Sequence, residues 1–254
     1  MVRSDPTAEA IGRREKSATM KKRIAAILCL VLLSAALAAY FYVTDYYRAD
    51  QRALSALASD ALVSVSETDY GYFLDGPVSG KTLIFYPGAK VEERAYAPFL
   101  RLLAEEGMDV CLVRMPLRLA FLDMDAAAEI MEETDSEIWY LGGHSLGGAA
   151  AAIYAAGHPE KISGLILCAS YPTRQLGEGL TELVLYGSED HVLNMEKLEE
   201  GRDYAPESFR EFCIEGGNHA FFGDYGLQKG DGEALLTPGE QQEAAARVIR
   251  ETFP

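Results

Sequence analysis

The chain has 254 residues, 49% hydrophobic and 10% aromatic, enough for one large α/β domain with a sizeable core and too apolar for wholesale disorder. It carries 23 Lys and Arg against 39 Asp and Glu, a formal net charge of -16, which argues against nucleic acid as a partner because phosphates select basic surfaces. The charge is uneven: residues 1–23 hold seven basic and three acidic groups, whereas residues 67–254 hold 14 basic and 33 acidic ones.

The basic N-terminal segment, residues 1–23, leads into Ile24 to Val43, twenty residues without a charge. At ~1.5 Å per helical residue this run spans about 30 Å, the thickness of a bilayer core. Lys21, Lys22 and Arg23 precede it, and Tyr40, Tyr42, Tyr46 and Tyr47 cluster at its far end as an aromatic belt would. The reading is an uncleaved signal-anchor helix, with the N-terminus cytoplasmic and the rest of the chain beyond the membrane. A cleaved signal peptide is the alternative, since Ala36-Leu37-Ala38 resembles a cleavage site. Against it, the apolar run exceeds the ~7–15 residues of a signal peptide's core.

Residues 44–66 form a juxtamembrane tether in which Leu54, Leu57, Ala61, Leu62 and Val65 recur at helical spacing. Whether this helix packs on the domain or acts as a spacer is left open by the sequence. From residue 67 to 254 the pattern changes to short β-rich runs: Gly71 to Leu74, Thr82 to Tyr86, Asp109 to Arg114, Ile138 to Leu141, Gly164 to Ala169, Glu182 to Tyr186 and Phe209 to Ile214. Between most of them lie helical stretches, Arg94 to Glu106, Asp123 to Glu133 and Leu146 to Ala156, with Gln241 to Thr252 at the end. That alternation predicts an α/β fold, a mostly parallel central sheet with helices on both faces.

Gly143-His144-Ser145-Leu146-Gly147 sits between the apolar strand ending at Leu141 and an Ala-rich helix. This is the context of a nucleophile elbow, a sharp strand-to-helix turn that lifts a serine hydroxyl clear of the sheet. The glycines are needed because neighbouring backbones approach too closely for a Cβ. A serine needs a base to take its proton and a third group to orient that base. Downstream, Asp190 follows the Glu182 to Tyr186 strand and His219 follows the Phe209 to Ile214 strand and a Gly216-Gly217 turn. Both therefore fall past the carboxyl ends of strands, where open α/β sheets place their sites.

With Ser145, Asp190 and His219 in that order, the sequence resembles the α/β-hydrolase superfamily, and within it the small, lidless, dienelactone-hydrolase-like bacterial branch. The resemblance covers about Leu83 to Thr252 and rests on Phe85-Tyr86-Pro87-Gly88-Ala89, Gly142 to Gly148 and Gly216-Gly217-Asn218-His219. It implies Ser145 as nucleophile, His219 as general base and Asp190 as its orienting acid. The superfamily often carries His-Gly where this chain has Pro87-Gly88-Ala89. The oxyanion hole needs only backbone N–H groups, so Ala89 and Leu146 can still supply it.

Other candidates have plainer readings. His144 is expected to be packed or hydrogen-bonded, His158 to be a surface residue or a helix cap, and His191 to be too close to the acid to serve as base. Glu189 is the substitute for Asp190, Asp224 and Asp231 could line the site but have a solvated loop as the plainer reading, and Cys29, Cys111, Cys168 and Cys213 are expected as buried thiols with no metal or redox role. Only Ser170 to Thr181 separate two strands where relatives insert a cap, so the pocket should be open and shallow. The function expected is a membrane-anchored serine hydrolase acting on a small-molecule carboxylic ester, thioester or lactone, with no cofactor and no metal. A catalytically idle binding domain and an acyltransferase remain the alternatives.

Overall fold

The computed structural model describes residues 6–77 and 80–254, with residues 6–19 described by their backbone alone, so most of the basic segment 1–23 lies outside the described side chains. The chain forms two compact units, Met1–Asp45 and Tyr46–Pro254. In the first, helix α1 (Pro6–Thr44) carries a 25-residue stretch, Met20–Thr44, long and apolar enough to cross a membrane, with a mean hydropathy of 2.6 and none of its most apolar window buried. A helix that is apolar all round has no stable place in water without a covering.

The second unit is built on an eight-stranded sheet of β1 (Ser64–Thr68), β2 (Gly71–Asp75), β3 (Lys81–Tyr86), β4 (Asp109–Val113), β5 (Ile138–His144), β6 (Gly164–Cys168), β7 (Thr181–Gly187) and β8 (Phe209–Ile214). The spatial order is β1-β2-β4-β3-β5-β6-β7-β8. Strands from β4 to β8 are parallel, and β2 joins β4 antiparallel, with β1 antiparallel to β2. Parallel strands are buried on both faces and read as continuous apolar runs, as Leu83-Ile84-Phe85-Tyr86 does. Leu83 and Phe85 join the core under α3 (Ala97–Glu105) and α7 (Pro238–Thr252), whereas Ile84 and Tyr86 face the core under α4 (Ala126–Glu133) and α5 (Leu146–Gly157).

All seven expected strands and four expected helices are present, with ends shifted by a few residues. Among the strands the largest shift is in β5, which runs on through Gly142 and Gly143 to His144 and so delivers Ser145 directly from its last pairing. Two elements were not expected. The crossover helix α6 (Met195–Gly201) buries only Leu198 and Gly201, so it leaves no apolar period to read; its signal is Asn194, whose side chain accepts from the Lys197 N–H at 3.0 Å. Strand β1 is polar and half-exposed at the sheet edge.

The tether reading of residues 44–66 changes most. Its helix is only α2 (Gln51–Ser55), because Asp60 Oδ1 accepts from the Leu62 and Val63 N–H groups and turns the chain into β1. Residues 46–66 belong to the second unit. Val63 and Ala53 are fully buried, and Arg52 pairs at 2.7 Å with Asp224, which is itself 3% exposed and also accepts from Gln242. Asp224 is thus an internal anchor and not part of a solvated loop. Cys111 and Cys168 are buried as expected. Cys213, on edge strand β8, and Cys29, on α1, are exposed.

One buried carboxyl is unsatisfied. Glu182, in β7, is fully buried with neither oxygen hydrogen-bonded among the described residues, and burial, then the Glu211 charge, pushes its pKa up to about 8. The folded state holds it neutral, so its contribution is full below the ordinary carboxyl pKa near 4.5 and is lost as pH climbs to about 8. Glu182→Gln should therefore leave urea stability nearly unchanged at about pH 4.5 and raise it by on the order of a few kcal/mol at about pH 8. Circular dichroism melts of the solubilised full chain at the two pH values check this, and an equal difference at both would contradict it.

Candidate active site

The junction of β5 and α5 is fixed by close backbone approach. Ser145 has φ 52° and ψ -122°, a strained conformation for a residue with a side chain. Its N–H donates to the Cys168 carbonyl at 2.9 Å and its carbonyl accepts from the Ala149 N–H at 3.1 Å, so both sides of the strained residue are held. A Cβ on Gly147 would stand 2.2 Å from the Tyr86 carbonyl oxygen, and one on Gly143 would stand 2.6 Å from the Gly147 backbone. Those two positions admit glycine because β3 and the start of α5 touch there.

Asp190 and His219 come together from the ends of β7 and β8. His219 Nδ1–H donates to Asp190 Oδ2 at 2.8 Å, and both side chains are almost fully buried. The other oxygen, Asp190 Oδ1, accepts from the Val192 and Leu193 N–H groups at 2.9 and 2.8 Å, which fixes the carboxylate's orientation. His219 Nε2 is buried with no hydrogen-bond partner among the described residues. With Nδ1 protonated toward Asp190, Nε2 is a free acceptor. Glu189, the alternative acid, is partly exposed and accepts from Ser188 at 3.0 Å instead, and His191 is exposed.

Ser145, His219, Ala89 and Leu146 line one open cavity of about 300 Å³, together with Ser170, Tyr171 and Val192. Leu146 is the first residue of α5, where N–H groups have no intrahelical acceptor. On the other side, Gly88 N–H donates to Tyr96 Oη at 3.0 Å and Lys90 N–H donates to the Arg118 carbonyl at 3.0 Å, so the loop is tied on both flanks of Ala89. Only Ala169 to Leu180 separate β6 from β7, too few residues for an inserted cap domain at that point. A larger groove of about 660 Å³, lined by Tyr46, Glu67, Arg114 and Arg118 among others, contains no serine, cysteine or histidine. Among the described residues no cluster of His, Cys, Asp and Glu has the arrangement to hold a metal.

One contributor was not singled out from sequence. Tyr96 is fully buried and joins the two sides of the site: it accepts from Gly88 N–H and donates to His144 Nδ1 at 2.8 Å. His144 Nε2–H donates in turn to the His219 carbonyl at 3.0 Å. A carbonyl can only accept, so this arrangement assigns the His144 tautomer. Burial, then the neighbouring His219, holds the His144 pKa well below its ordinary value and keeps the ring neutral. Packed and hydrogen-bonded is what the sequence reading expected of His144. Asp231, expected in a solvated loop, accepts from the His219, Ala220 and Gly232 N–H groups and fixes the turn that carries the imidazole. His158 caps α5, with Nδ1 on the Tyr154 carbonyl at 3.0 Å.

Comparison with known proteins agrees with this fold. No curated protein matches the chain in sequence. Among solved structures, a bacterial membrane phospholipase A described as a virulence factor aligns with a TM-score of 0.56 at 15% identity, covering 91% of this chain and 99% of its own. Est1E from Butyrivibrio proteoclasticus aligns with a TM-score of 0.53 at 14% identity, over 76% of this chain and 99% of its own. The carboxylesterase CesB from Bacillus subtilis gives 0.52 at 10% identity, over 85% and 97%. At such identities these likenesses concern the fold. The family model described as "Alpha/beta hydrolase family" matches residues 82–243, from β3 through His219 into α7, and the chain belongs to that family.

Proposed function

We propose that this protein is a membrane-anchored serine hydrolase that cleaves carboxylic esters through an acyl-enzyme on Ser145. The observation that carries this reading is His219, held at Nδ1 by Asp190 and left with an unpartnered Nε2, in the same cavity as the strained Ser145. Ser145 Oγ attacks the ester carbonyl while His219 Nε2 takes its proton, and Asp190 stabilises the imidazolium without taking the proton. The N–H groups of Ala89 and Leu146 receive the oxyanion. Collapse expels the alcohol, which takes the proton from His219. Water, activated by the same imidazole, then releases the acid. The names of the structural neighbours, a phospholipase and a carboxylesterase among them, are in keeping with ester chemistry. Thioesters and lactones offer the same carbonyl. The apolar stretch Met20–Thr44, with Tyr40 and Tyr42 at its end, supports the anchor.

Ser145→Ala should abolish labelling by a fluorophosphonate probe and lower kcat on p-nitrophenyl butyrate by on the order of 10⁶, with the melting temperature retained. A variant that keeps a tenth of the activity would remove Ser145 from the role. Asp190→Asn should lower kcat by on the order of 10⁴, because the wrong imidazole tautomer then faces Ser145. Glu189→Gln should leave the same assay unchanged.

Tyr96→Phe removes the hydroxyl that serves both Gly88 N–H and His144 Nδ1. It should cost about 1–3 kcal/mol of stability in urea unfolding, the penalty of leaving buried polar groups unpaired. It should also lower kcat more than it raises KM, since the groups it releases flank the oxyanion loop and His219.

A further inference from the structure

The second unit begins beside its own active site. Tyr47 N–H donates to the Lys90 carbonyl at 2.8 Å, and Glu92 N–H donates to the Tyr47 carbonyl at 2.9 Å, forming a parallel bridge with Val91. Ala89 lies two residues before Val91. Thr44, the last residue of the apolar stretch, is three residues before Tyr47. Three residues of extended chain reach at most ~11 Å. Whatever direction the helix takes, covalent linkage keeps the end of the apolar stretch within that distance of Tyr47.

The carboxyl edge of the sheet, where Val192 lines the Ser145 cavity and Leu117 the larger groove, has the surface such a location needs. Leu117, Phe121 and Leu122 follow β4 on one side, Val192 and Met195 follow β7 on the other, and each is 38% to 56% exposed. All five sit at the carboxyl edge of the sheet, the edge that carries Ser145. The Leu117 loop is continuous with the oxyanion loop, since the Arg118 carbonyl accepts from Lys90 N–H, and the turn Ala120–Leu122 lies against α5. Leu117 and Arg118 have φ of 50° and 59°, consecutive left-handed residues with side chains, so the backbone is strained where it holds a leucine out into solvent. Next to it, the Arg118 guanidinium lies 3.4 Å from the centre of the Tyr46 ring and that of Arg48 lies 4.5 Å from it. Tyrosine and arginine together favour the headgroup layer, with one part apolar and the other wet.

Resting on the hydrolase reading and the anchor above, we infer that the mouth of the Ser145 cavity is a bilayer-docking face, and that the substrate is an amphiphilic acyl ester taken from the membrane. Leu117, Phe121, Leu122, Val192 and Met195 enter the interface between headgroups and acyl chains. Arg48 and Arg118 stay at headgroup level. A cavity of about 300 Å³ is at the small end for ligand pockets and holds the ester group with a short length of acyl chain. The remainder of a long chain stays in lipid.

The test uses the full chain in phosphatidylcholine vesicles. A nitrobenzoxadiazole probe is attached to Leu117→Cys or, at the amino edge of the sheet, to Glu207→Cys, each with the exposed Cys29 and Cys213 replaced by serine. Doxyl-labelled lipid should quench the probe at 117 by about threefold more than the probe at 207. Equal quenching at both positions, or none at 117, overturns the docking face whatever the enzyme hydrolyses. The combined Leu117→Glu and Phe121→Glu variant should hydrolyse vesicle-embedded umbelliferyl oleate about tenfold more slowly and soluble umbelliferyl acetate within about twofold of the parent, because a charge at each position opposes insertion. If the two rates fall together, or neither falls, delivery from the membrane is overturned. If the probe at 117 is quenched but the parent cleaves neither ester and takes up no fluorophosphonate, the hydrolase reading fails while the docking face stands.

Discussion

The site depends on one strained turn. Ser145 can occupy φ 52° only because its N–H is held by β6, its carbonyl is held by α5, and Gly143 and Gly147 let three backbone segments meet without a Cβ between them. The cost of that conformation, of order 1–3 kcal/mol, is met by the packing of β3, β5 and β6 beneath it. Because the turn ends a central parallel strand, the hydroxyl emerges at the carboxyl edge of the sheet. The loops after β3, β7 and β8 then converge on it from both sides.

Around that turn runs a continuous chain of hydrogen bonds: Gly88 N–H to Tyr96, Tyr96 to His144, and His144 to the His219 carbonyl. It links the loop bearing Ala89 to the turn bearing His219 through a ring that burial keeps neutral. Asp190 fixes the imidazole from one side through its Nδ1, and Asp231 fixes its backbone from another. The catalytic groups proposed for this chain come from four different loops. Their relative placement is set by buried polar contacts whose individual loss costs more than their formation gains.

Most of the candidate site was legible in the sequence because each proposed group is announced locally. A glycine-flanked serine between a strand and a helix, and an acid and a histidine just past strand ends, are short-range patterns. The parts that were not legible are long-range. Nothing near Tyr96 in the chain distinguishes it from a core tyrosine, and its importance arises from Gly88 and His144 meeting it in space. Strand β1 and helix α6 bury too little to impose a period, and the helical spacing through residues 54–65 is interrupted by the Asp60 turn. Whether the segment after the apolar helix packs or acts as a spacer was not legible because its partners, Lys90, Val91 and Asp224, lie 43 to 172 residues away.

The central claim is that Ser145 carries the acyl group between the two half-reactions. Mass spectrometry of the full chain, acid-quenched within milliseconds of mixing with p-nitrophenyl butyrate and digested, measures this directly. The account predicts a butyryl adduct on the peptide containing Ser145, formed in a burst and lost at the rate of turnover. Turnover with no adduct, or with the adduct on another residue, would contradict it.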